Sequence, residues 1–476
     1  MPALLILIPL LGVLLLNLPL RKDFQDKLAL WFGLAFCVAQ AVLVLCSECL
    51  TESAELDFLL SALNWSPLLD GSSRIMLLSI SIVGFSALML ARYCISSTSR
   101  LFVFCNLLLL AIASMNGLAL VNDLFSLYIF LEVTSACSFI LIAFDRDKAS
   151  LEGAFKYFLL SALATAMLMA AIALFVIFAG GVSFTEVEMA LRLHDGRPLM
   201  LLATGLFLCG LFIKGGLVPF HGWLPDAYCS AQPAASVLLA GIVTKAGGIF
   251  TLFRVLSEVF YWNDTVASLL LAFGIVSIVS GALGALGQGD FRRMLAYSSI
   301  SQVGYIVLGL GAGGVLGMAG AMLHFFNHSI FKTLLFVNAV SLEKQTGSRD
   351  INQMGGLAQK MPVTSATSTI AFLSTAGIPP FSGFWSKLLI VLAVWQAGHY
   401  WLAAVAVLAS LLTLAYFLSL TRRVFFGKLA AGFDELREAS AWALIPALLL
   451  AAITIGLGIA MPWLFESFLL PIGTIL

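Results

Sequence analysis

Long apolar runs recur along the whole 476-residue chain and constrain its fold more than any other feature. An α-helix needs about 20 mostly apolar residues to cross the hydrocarbon core of a bilayer. Segments of this kind predict an all-α, polytopic membrane protein of about fourteen transmembrane helices, because the alternating pattern of a membrane β-barrel is absent. The predicted helices cover residues 2–20, 28–48, 72–92, 101–120, 123–144, 152–180, 200–216, 234–257, 265–287, 293–311, 314–342, 363–396, 401–424 and 441–464.

The composition agrees with lipid as the main solvent. Hydrophobic residues make up 61% of the chain and charged residues 11%, whereas a soluble domain carries about 25% charged residues. The net charge of zero argues against nucleic acid as a partner. No loop is long enough for an extramembrane domain, so we expect a single membrane domain over residues 1–476. The apolar N-terminus lacks the basic flank and cleavage site of a signal peptide and is interpreted as the first spanning helix.

The basic residues of the loops predict an orientation. Of the 25 Lys and Arg residues, four lysines lie inside predicted helices. The loops on the side of the two termini carry Arg74, Arg192, Arg197 and Arg254, and the loops on the opposite side carry all the others. Because Lys and Arg concentrate on the cytoplasmic side, both termini are expected to face away from the cytoplasm of a cell inner membrane.

The lysines inside the helices are Lys214, Lys245, Lys332 and Lys387. A charge at the bilayer centre costs at least about 2.5–3.5 kcal/mol, so four such residues require a reason. Snorkelling is an alternative for Lys214, which lies near a helix end. Structural ion pairing is another alternative, but Glu132 is the only clearly intramembrane carboxylate. Burial disfavours the charged form of lysine, so a buried lysine can accept and release protons, and we interpret the set as a proton path.

Two histidines lie on the helix that carries Lys332. His324, His328 and Lys332 are spaced i, i+4 and i+8, which places them on one helix face. Histidine suits a proton relay because it changes charge near neutral pH. The i, i+4 pair could also bind a metal, but no carboxylate on this helix completes a site, so no metal is expected.

Two apolar segments, 200–235 and 363–396, are interrupted by Gly and Pro. Both contain Pro-Phe-x-Gly followed closely by Trp, and both place a lysine near the interruption. Paired interrupted helices indicate internal repeats with a transport site nearby. The pattern predicts five-helix repeats over residues 101–257 and 265–424, with broken helices 7 and 12. An odd number of helices in each repeat makes the repeats inverted.

Three stretches resemble a known family, and the resemblance extends from about helix 3 to helix 13. They are Phe212–Asp226 with the following Gln-Pro-Ala, Gly289–Tyr305, and Asn327–Lys332. They are similar to the antiporter-like subunits of respiratory complex I, membrane-bound group 4 hydrogenases and multisubunit Na+/H+ antiporters. The resemblance implies the fourteen-helix fold with inverted repeats, and it implies assembly with other membrane subunits, including homologous antiporter-like ones.

The resemblance also implies roles for individual residues. Glu132 matches the helix-5 glutamate and Lys214 the lysine that pairs with it, while Lys245 matches a lysine in the middle of the path. On helix 11, His328 and Lys332 match the relay, and His324 shares their face. Lys387 matches the terminal residue of the path. One subtype has glutamate there, so the lysine argues against that subtype.

Three functions remain open from the sequence. The first is a proton-translocating subunit of a redox-driven complex, related to NADH:quinone oxidoreductase or hydrogenase. The chain shows no redox centre of its own: Cys46 and Cys49 form a C-x-x-C that nothing completes, and no cofactor is expected. The alternative is a subunit of a cation/proton antiporter without redox chemistry, in which Na+ also moves. The third is a structural scaffold, against which the buried lysines argue.

Overall fold

The computed structural model of the chain describes residues 2–18, 22–46, 67–260 and 263–464. Across these residues the fold is helical, and β-structure is limited to two isolated bridges. The prediction of an all-α protein is therefore confirmed. Cys49 lies outside the described residues, as do the C-terminal ends of the first two predicted helices.

The α-helices agree closely with the predicted segments. They are α1 Leu4–Leu16, α2 Lys22–Leu45, α3 Gly71–Cys94, α4 Thr98–Leu120, α5 Leu124–Ile142, α6 Lys148–Ala179, α7 Phe184–Leu193, α8 Pro198–Gly215, α9 Trp223–Ser230, α10 Pro233–Leu238, α11 Thr251–Glu258, α12 Asp264–Leu286, α13 Phe291–Ala312, α14 Gly314–Thr346, α15 Pro362–Ala376, α16 Ser382–Gln396, α17 Tyr400–Val424 and α18 Ala441–Leu464. Two π-helical segments, Leu239–Val243 and Lys245–Phe250, lie between α10 and α11.

Eleven helical stretches among the described residues are long and apolar enough to cross a membrane. They include Pro198–Ser230, which comprises α8 and α9, and Pro233–Glu258, which comprises α10, the two π-helical segments and α11, whereas α1 is a shorter apolar helix. Many of these helices expose large apolar side chains, such as Leu14, Phe155 and Leu411. The chain is a multi-pass membrane protein whose outward-facing apolar side chains suit contact with lipid.

The helices form two compact units. The first comprises Met1–Gly215 and Ile242–Trp262, and the second comprises Gly216–Gly241 and Asn263–Leu476. The chain thus leaves the first unit directly after α8, contributes α9 and α10 to the second unit, and returns within the first π-helical segment. The interruption after α8 is therefore also the place where the backbone changes units.

The sequence did not predict α7, a ten-residue amphipathic helix. It begins with a capping box, in which Ser183 and Glu186 bond reciprocally, and it carries an ion pair of 2.8 Å between Glu188 and Arg192. Ten residues are too few to span a bilayer, so an analysis based on long apolar runs passes over it. The Ser-x-x-Glu pattern was the local signal that could have revealed it.

Candidate functional site

The first cluster of predicted residues lies where α5, α6 and α8 meet. Lys214 is the penultimate residue of α8, and its Nζ lies 3.6 Å from Oε1 of Glu132 on α5. The lysine Nζ also donates to Oγ of Ser135 at 2.8 Å and to Oγ of Ser161 at 3.3 Å. The hydroxyl of Thr165 donates to Oε1 of Glu132. The ammonium and the carboxylate are thus each hydrogen-bonded to hydroxyls.

Helical spacing explains this arrangement. Ser135 lies three residues after Glu132, and Thr165 lies four residues after Ser161, so each pair shares one helix face. The Lys214 side chain is 6% exposed and the Glu132 side chain is 41% exposed. A lysine so enclosed and so close to a carboxylate does not fit the snorkelling alternative. The carboxylate, in contrast, reaches the outer face of the unit.

Lys245 is the first residue of the second π-helical segment and is buried. The hydroxyl of Thr251, the first residue of α11, donates to the carbonyl of Ala246 in that segment, five residues earlier. π-Helical turns are rare and frequently occur at functional sites. The segment packs directly on the end of α8, because a Cβ at Gly248 would lie 2.3 Å from the Cα of Gly215. This close approach brings the helix of Lys245 against the residue next to Lys214.

The second cluster belongs to the second unit, on α14 and α16. The rings of His324 and His328 are parallel, with an interplanar angle of 1° and centroids 6.2 Å apart. Nδ1 of His324 lies 2.8 Å from Oγ of Ser386 on α16. Nζ of Lys332 donates to the carbonyl of Leu295 on α13 at 3.0 Å. The predicted i, i+4, i+8 face thus lies in the interior, since both histidines and Lys332 are buried.

Lys387 lies one turn inside α16, over the ring of Tyr305 and 4.4 Å from its centroid. Its Nζ donates to Oγ of Ser410 at 3.3 Å, and the Tyr305 hydroxyl lies 2.8 Å from the same Oγ. This lysine lines a cavity of about 220 Å³ at the end of α15. Gly377 ends that helix with φ +84°, and a Cβ there would lie 3.0 Å from Cδ of Lys387. Glycine at this position therefore leaves room for the lysine.

Arg254 was counted above with the basic residues of the loops, although it falls within the predicted helix 234–257. It belongs to α11, and its side chain is 1% exposed. Its guanidinium binds Asp70 with contacts of 2.7 and 3.1 Å and donates to Ser73 at 2.7 Å. Burial alone would raise the pKa of the Asp70 carboxyl, but the charge and hydrogen bonds of Arg254, together with hydrogen bonds from Ser73 and Ser72, lower that pKa to about 2.

Among the residues that the structure describes, no group of three or more His, Cys, Asp or Glu side chains is arranged to hold a metal ion. The stacked histidines instead contact a hydroxyl and aromatic rings, including that of Phe331. Both clusters place lysine amines beside hydroxyls inside apolar helices, and the first adds one carboxylate whereas the second adds two imidazoles. Groups of these types can exchange protons.

A multi-pass helical protein with ionisable side chains in its membrane interior has the features of an ion-translocating membrane protein. The family model described as NADH:quinone oxidoreductase/Mrp antiporter, TM matches residues 121–413. The chain belongs to this family, and the expectation from the sequence motifs is confirmed. It is an antiporter-like membrane subunit of the complex I and Mrp type.

Similar proteins carry names from both branches. The chain is 33% identical to NADH-quinone oxidoreductase subunit N of Desulforudis audaxviator, over 88% of this chain and 85% of the relative. It is 32% identical to a Na(+)/H(+) antiporter subunit of Alkalihalophilus pseudofirmus, over 83% of this chain and 80% of the relative. A chain of the Mrp complex from Dietzia sp. superimposes with a TM-score of 0.87 at 26% identity, covering 100% of this chain and 96% of the other.

Proposed function

We propose that the chain translocates protons across the plasma membrane as one subunit of a redox-driven complex. Glu132, Lys214 and Lys245 form one proton-transfer cluster, and His324, His328, Lys332 and Lys387 form a second. The observation that carries the proposal is the 3.6 Å contact between Nζ of Lys214 and Oε1 of Glu132 inside the apolar helices. A proton held between these groups moves when their separation changes, because a nearby carboxylate stabilises the charged amine.

The exposure of the two partners fits this role. Lys214 is enclosed, whereas Glu132 reaches the outer face of the first unit. A carboxylate at that position is within reach of a neighbouring membrane subunit, and the relatives named above are themselves subunits. The neighbours, including homologous antiporter-like subunits, and the source of energy therefore lie outside this chain.

The finer architecture is part of the proposal. Eleven stretches qualify as spans by length and hydropathy, and α1, α14 and the interrupted pair α15–α16 would bring the number to fourteen. Both broken helices carry their lysine beside the interruption, Lys214 before it and Lys387 after it. Further support comes from two isolated bridges at matching places of the proposed repeats. Asp123, before α5, pairs with Ser183 after α6, and Asp290, before α13, pairs with Asp350 after α14.

The orientation rests on the distribution of basic loop residues. Arg254 lies in α11, four residues before its end, and basic residues near helix ends count together with those of the loops. The asymmetry between the two sides therefore stays as the sequence predicts it, and it supports termini on the non-cytoplasmic side.

A cation/proton antiporter subunit without redox chemistry is the second candidate. The similarity to the Alkalihalophilus antiporter protein and to the Mrp complex favours it, and it uses the same clusters with Na+ as the coupled ion. Both candidates require the Glu132–Lys214 pair.

The experiment substitutes that pair in the native complex reconstituted in proteoliposomes. Glu132→Ala and Lys214→Ala should each remove most of the proton translocation while the complex still assembles, because either change leaves the other group without its partner. Wild-type translocation in either variant would refute the assignment of this pair to the proton path.

Lys387→Glu should reduce translocation less than Lys387→Ala, since glutamate keeps an ionisable group there. An equal loss in both variants would count against a role of Lys387 in proton transfer.

A further inference from the structure

Gln302 on α13 is a fully buried amide that the rest of the site does not use. Among the residues that the structure describes, neither its Oε1 nor its Nε2 has a hydrogen-bond partner. A primary amide offers two donor hydrogens and an acceptor oxygen. Buried polar groups in folded proteins are almost always paired, so this side chain requires partners that the protein itself does not supply.

Two contacts define the position of Gln302 along the axis of α13, relative to the residues of the second cluster. On one side of it, the carbonyl of Leu295 accepts from Lys332 at 3.0 Å. On the other side, the ring of Tyr305 lies 5.9 Å from that of His324. Residue numbers rise along α13 as they fall along α14, so the two helices are antiparallel here. Along the axes of these two helices, Gln302 therefore lies between the level of Lys332 and the level of His324.

The direction of the amide follows from helical spacing. Leu295, Ser298, Gln302 and Tyr305 recur at intervals of three and four residues, which places them on one face of α13. Ser298 on this face accepts a hydrogen bond from the Tyr416 hydroxyl at 2.9 Å, and both side chains are buried. Tyr305 lies directly under the ammonium of Lys387. The face thus carries hydroxyl or amide groups all the way from the contact with Lys332 to the contact with Lys387, and Gln302 is its middle member.

We propose that Gln302 holds internal water between Lys332 and the Tyr305–Lys387 pair, and that protons cross the second cluster along this face of α13. The ligand is water, which a buried polar site binds through two to four hydrogen bonds. A water bound there accepts a proton on one side and releases a different proton on the other, so the amide stays neutral throughout. Gln302 is a positioning residue. The inference rests on the proposed function and extends it to a helix that carries none of the seven predicted residues.

The test compares two substitutions in the native complex in proteoliposomes. Gln302→Met keeps the length of the side chain and removes both hydrogen-bonding atoms, so we expect about a tenfold or greater loss of proton translocation. Gln302→His keeps a donor and an acceptor, so its rate should stay within about twofold of the wild type. Asn338→Leu is the matched control: it removes another buried amide of the same unit, bonded to Thr367, and should leave the rate within about twofold.

Lys332→Ala in the same assay separates the two levels of the argument. Wild-type translocation in Lys332→Ala would overturn the proposed function for this cluster. If Lys332→Ala is inactive and Gln302→Met is fully active, the proposed role of Gln302 is wrong while the proposed function stands. Equal losses of translocation in Gln302→Met and Gln302→His would also refute the role of Gln302. Should Gln302→Met fail to assemble, a water-resolving structure of the wild-type complex decides. Water within hydrogen-bonding distance of both amide atoms is expected, and protein partners at both atoms would refute the inference.

Discussion

Asn116 on α4 supplies a hydrogen bond that Pro9 removes from α1. Proline has no N–H, so the carbonyl of Leu5, four residues earlier, loses its partner within the helix. Nδ2 of Asn116 donates to that carbonyl at 2.7 Å and to Oε1 of Gln40 at 2.8 Å. In a membrane interior such a carbonyl has to be satisfied by protein, so this single side chain compensates for the proline and joins α1, α2 and α4.

Asn116→Leu should therefore lower the free energy of unfolding by about 1–3 kcal/mol, the cost of leaving buried polar groups unpaired. Pro9→Ala in the same chain restores an N–H for the Leu5 carbonyl and should recover part of the loss. Pro9→Ala alone should gain less, because Asn116 already fills the position. Thermal unfolding in detergent of the wild type, the two single variants and the double variant measures the coupling between residues 9 and 116. Strictly additive effects of the two substitutions would contradict this account.

The Asp70–Arg254 pair predicts a pH dependence at acid pH. The pKa of the Asp70 carboxyl is about 2 in the folded protein, below its value of about 4 in an unfolded chain. The Asp70–Arg254 pair therefore stabilises the folded protein by about 2 kcal/mol above about pH 4. This stabilisation is lost as the pH falls through about 2. Asp70→Asn should remove this part of the pH dependence of the unfolding midpoint in detergent.

Asp145 offers a control for that measurement, because its ion pair with Arg100 is exposed, with the arginine side chain 52% accessible. Exposed pairs contribute little to stability, so Asp145→Asn should leave the acid limb of the profile nearly unchanged. Equal changes in the two variants would mean that burial of Arg254 does not strengthen its pair.

Single residues also mark the limit of what the sequence could predict. A lysine in the middle of an apolar run stands out, and the resemblance supplied the pairing of Lys214 with Glu132. Arg254 lies near the end of the predicted helix 234–257 and was counted with the basic residues of the loops. Its partner Asp70 is 184 residues away along the chain, and no local pattern connects the two. The hydroxyls around Lys214 come from two other helices and could be found only in three dimensions.

At the scale of elements, two adjacent glycines of the Lys245 segment make different contacts. A Cβ at Gly248 would lie 2.3 Å from the backbone of Gly215, whereas a Cβ at Gly247 would meet only the Leu131 side chain, at 3.5 Å. Gly248→Ala should therefore push the segment away from α8, destabilise the protein by about 1–3 kcal/mol and reduce translocation. Gly247→Ala, with the same change in helix propensity, should be close to the wild type in detergent unfolding and in the proteoliposome assay. Similar results for both would mean that this contact does not position Lys214.

The elements that long apolar runs predicted were found with small shifts at their ends, because the length required to cross a bilayer sets them. The shorter helices α7 and α9 were missed for the same reason, since neither is long enough to span. The π-helical geometry around Lys245 was also not predicted. It arises where glycines let this segment approach α8, a packing effect that hydropathy does not report.

At the scale of the whole molecule, the family fixes the class of the protein but not the energy source. Relatives at 33% and 32% identity carry the names of an oxidoreductase subunit and of an antiporter subunit. The buried clusters suit both, because a proton path needs ionisable groups whatever drives it. The distinction therefore lies in the subunits bound to this chain and in the ion gradient or electron donor that they use.

Purification of the native complex through a tag on this chain decides between them. We expect partner subunits with cysteine motifs for iron–sulfur clusters, because the sequence predicts no redox centre in this chain and a redox-driven complex must supply one. Vesicles of the complex should then acidify on one side when an electron donor is added, equally well in sodium-free potassium buffer. Partners that are all hydrophobic membrane subunits, together with proton movement driven by a Na+ gradient without a donor, would establish the antiporter candidate instead. Lys214→Ala should abolish proton movement in whichever of the two assays is active. The test of the Glu132–Lys214 pair is therefore independent of which complex the chain belongs to.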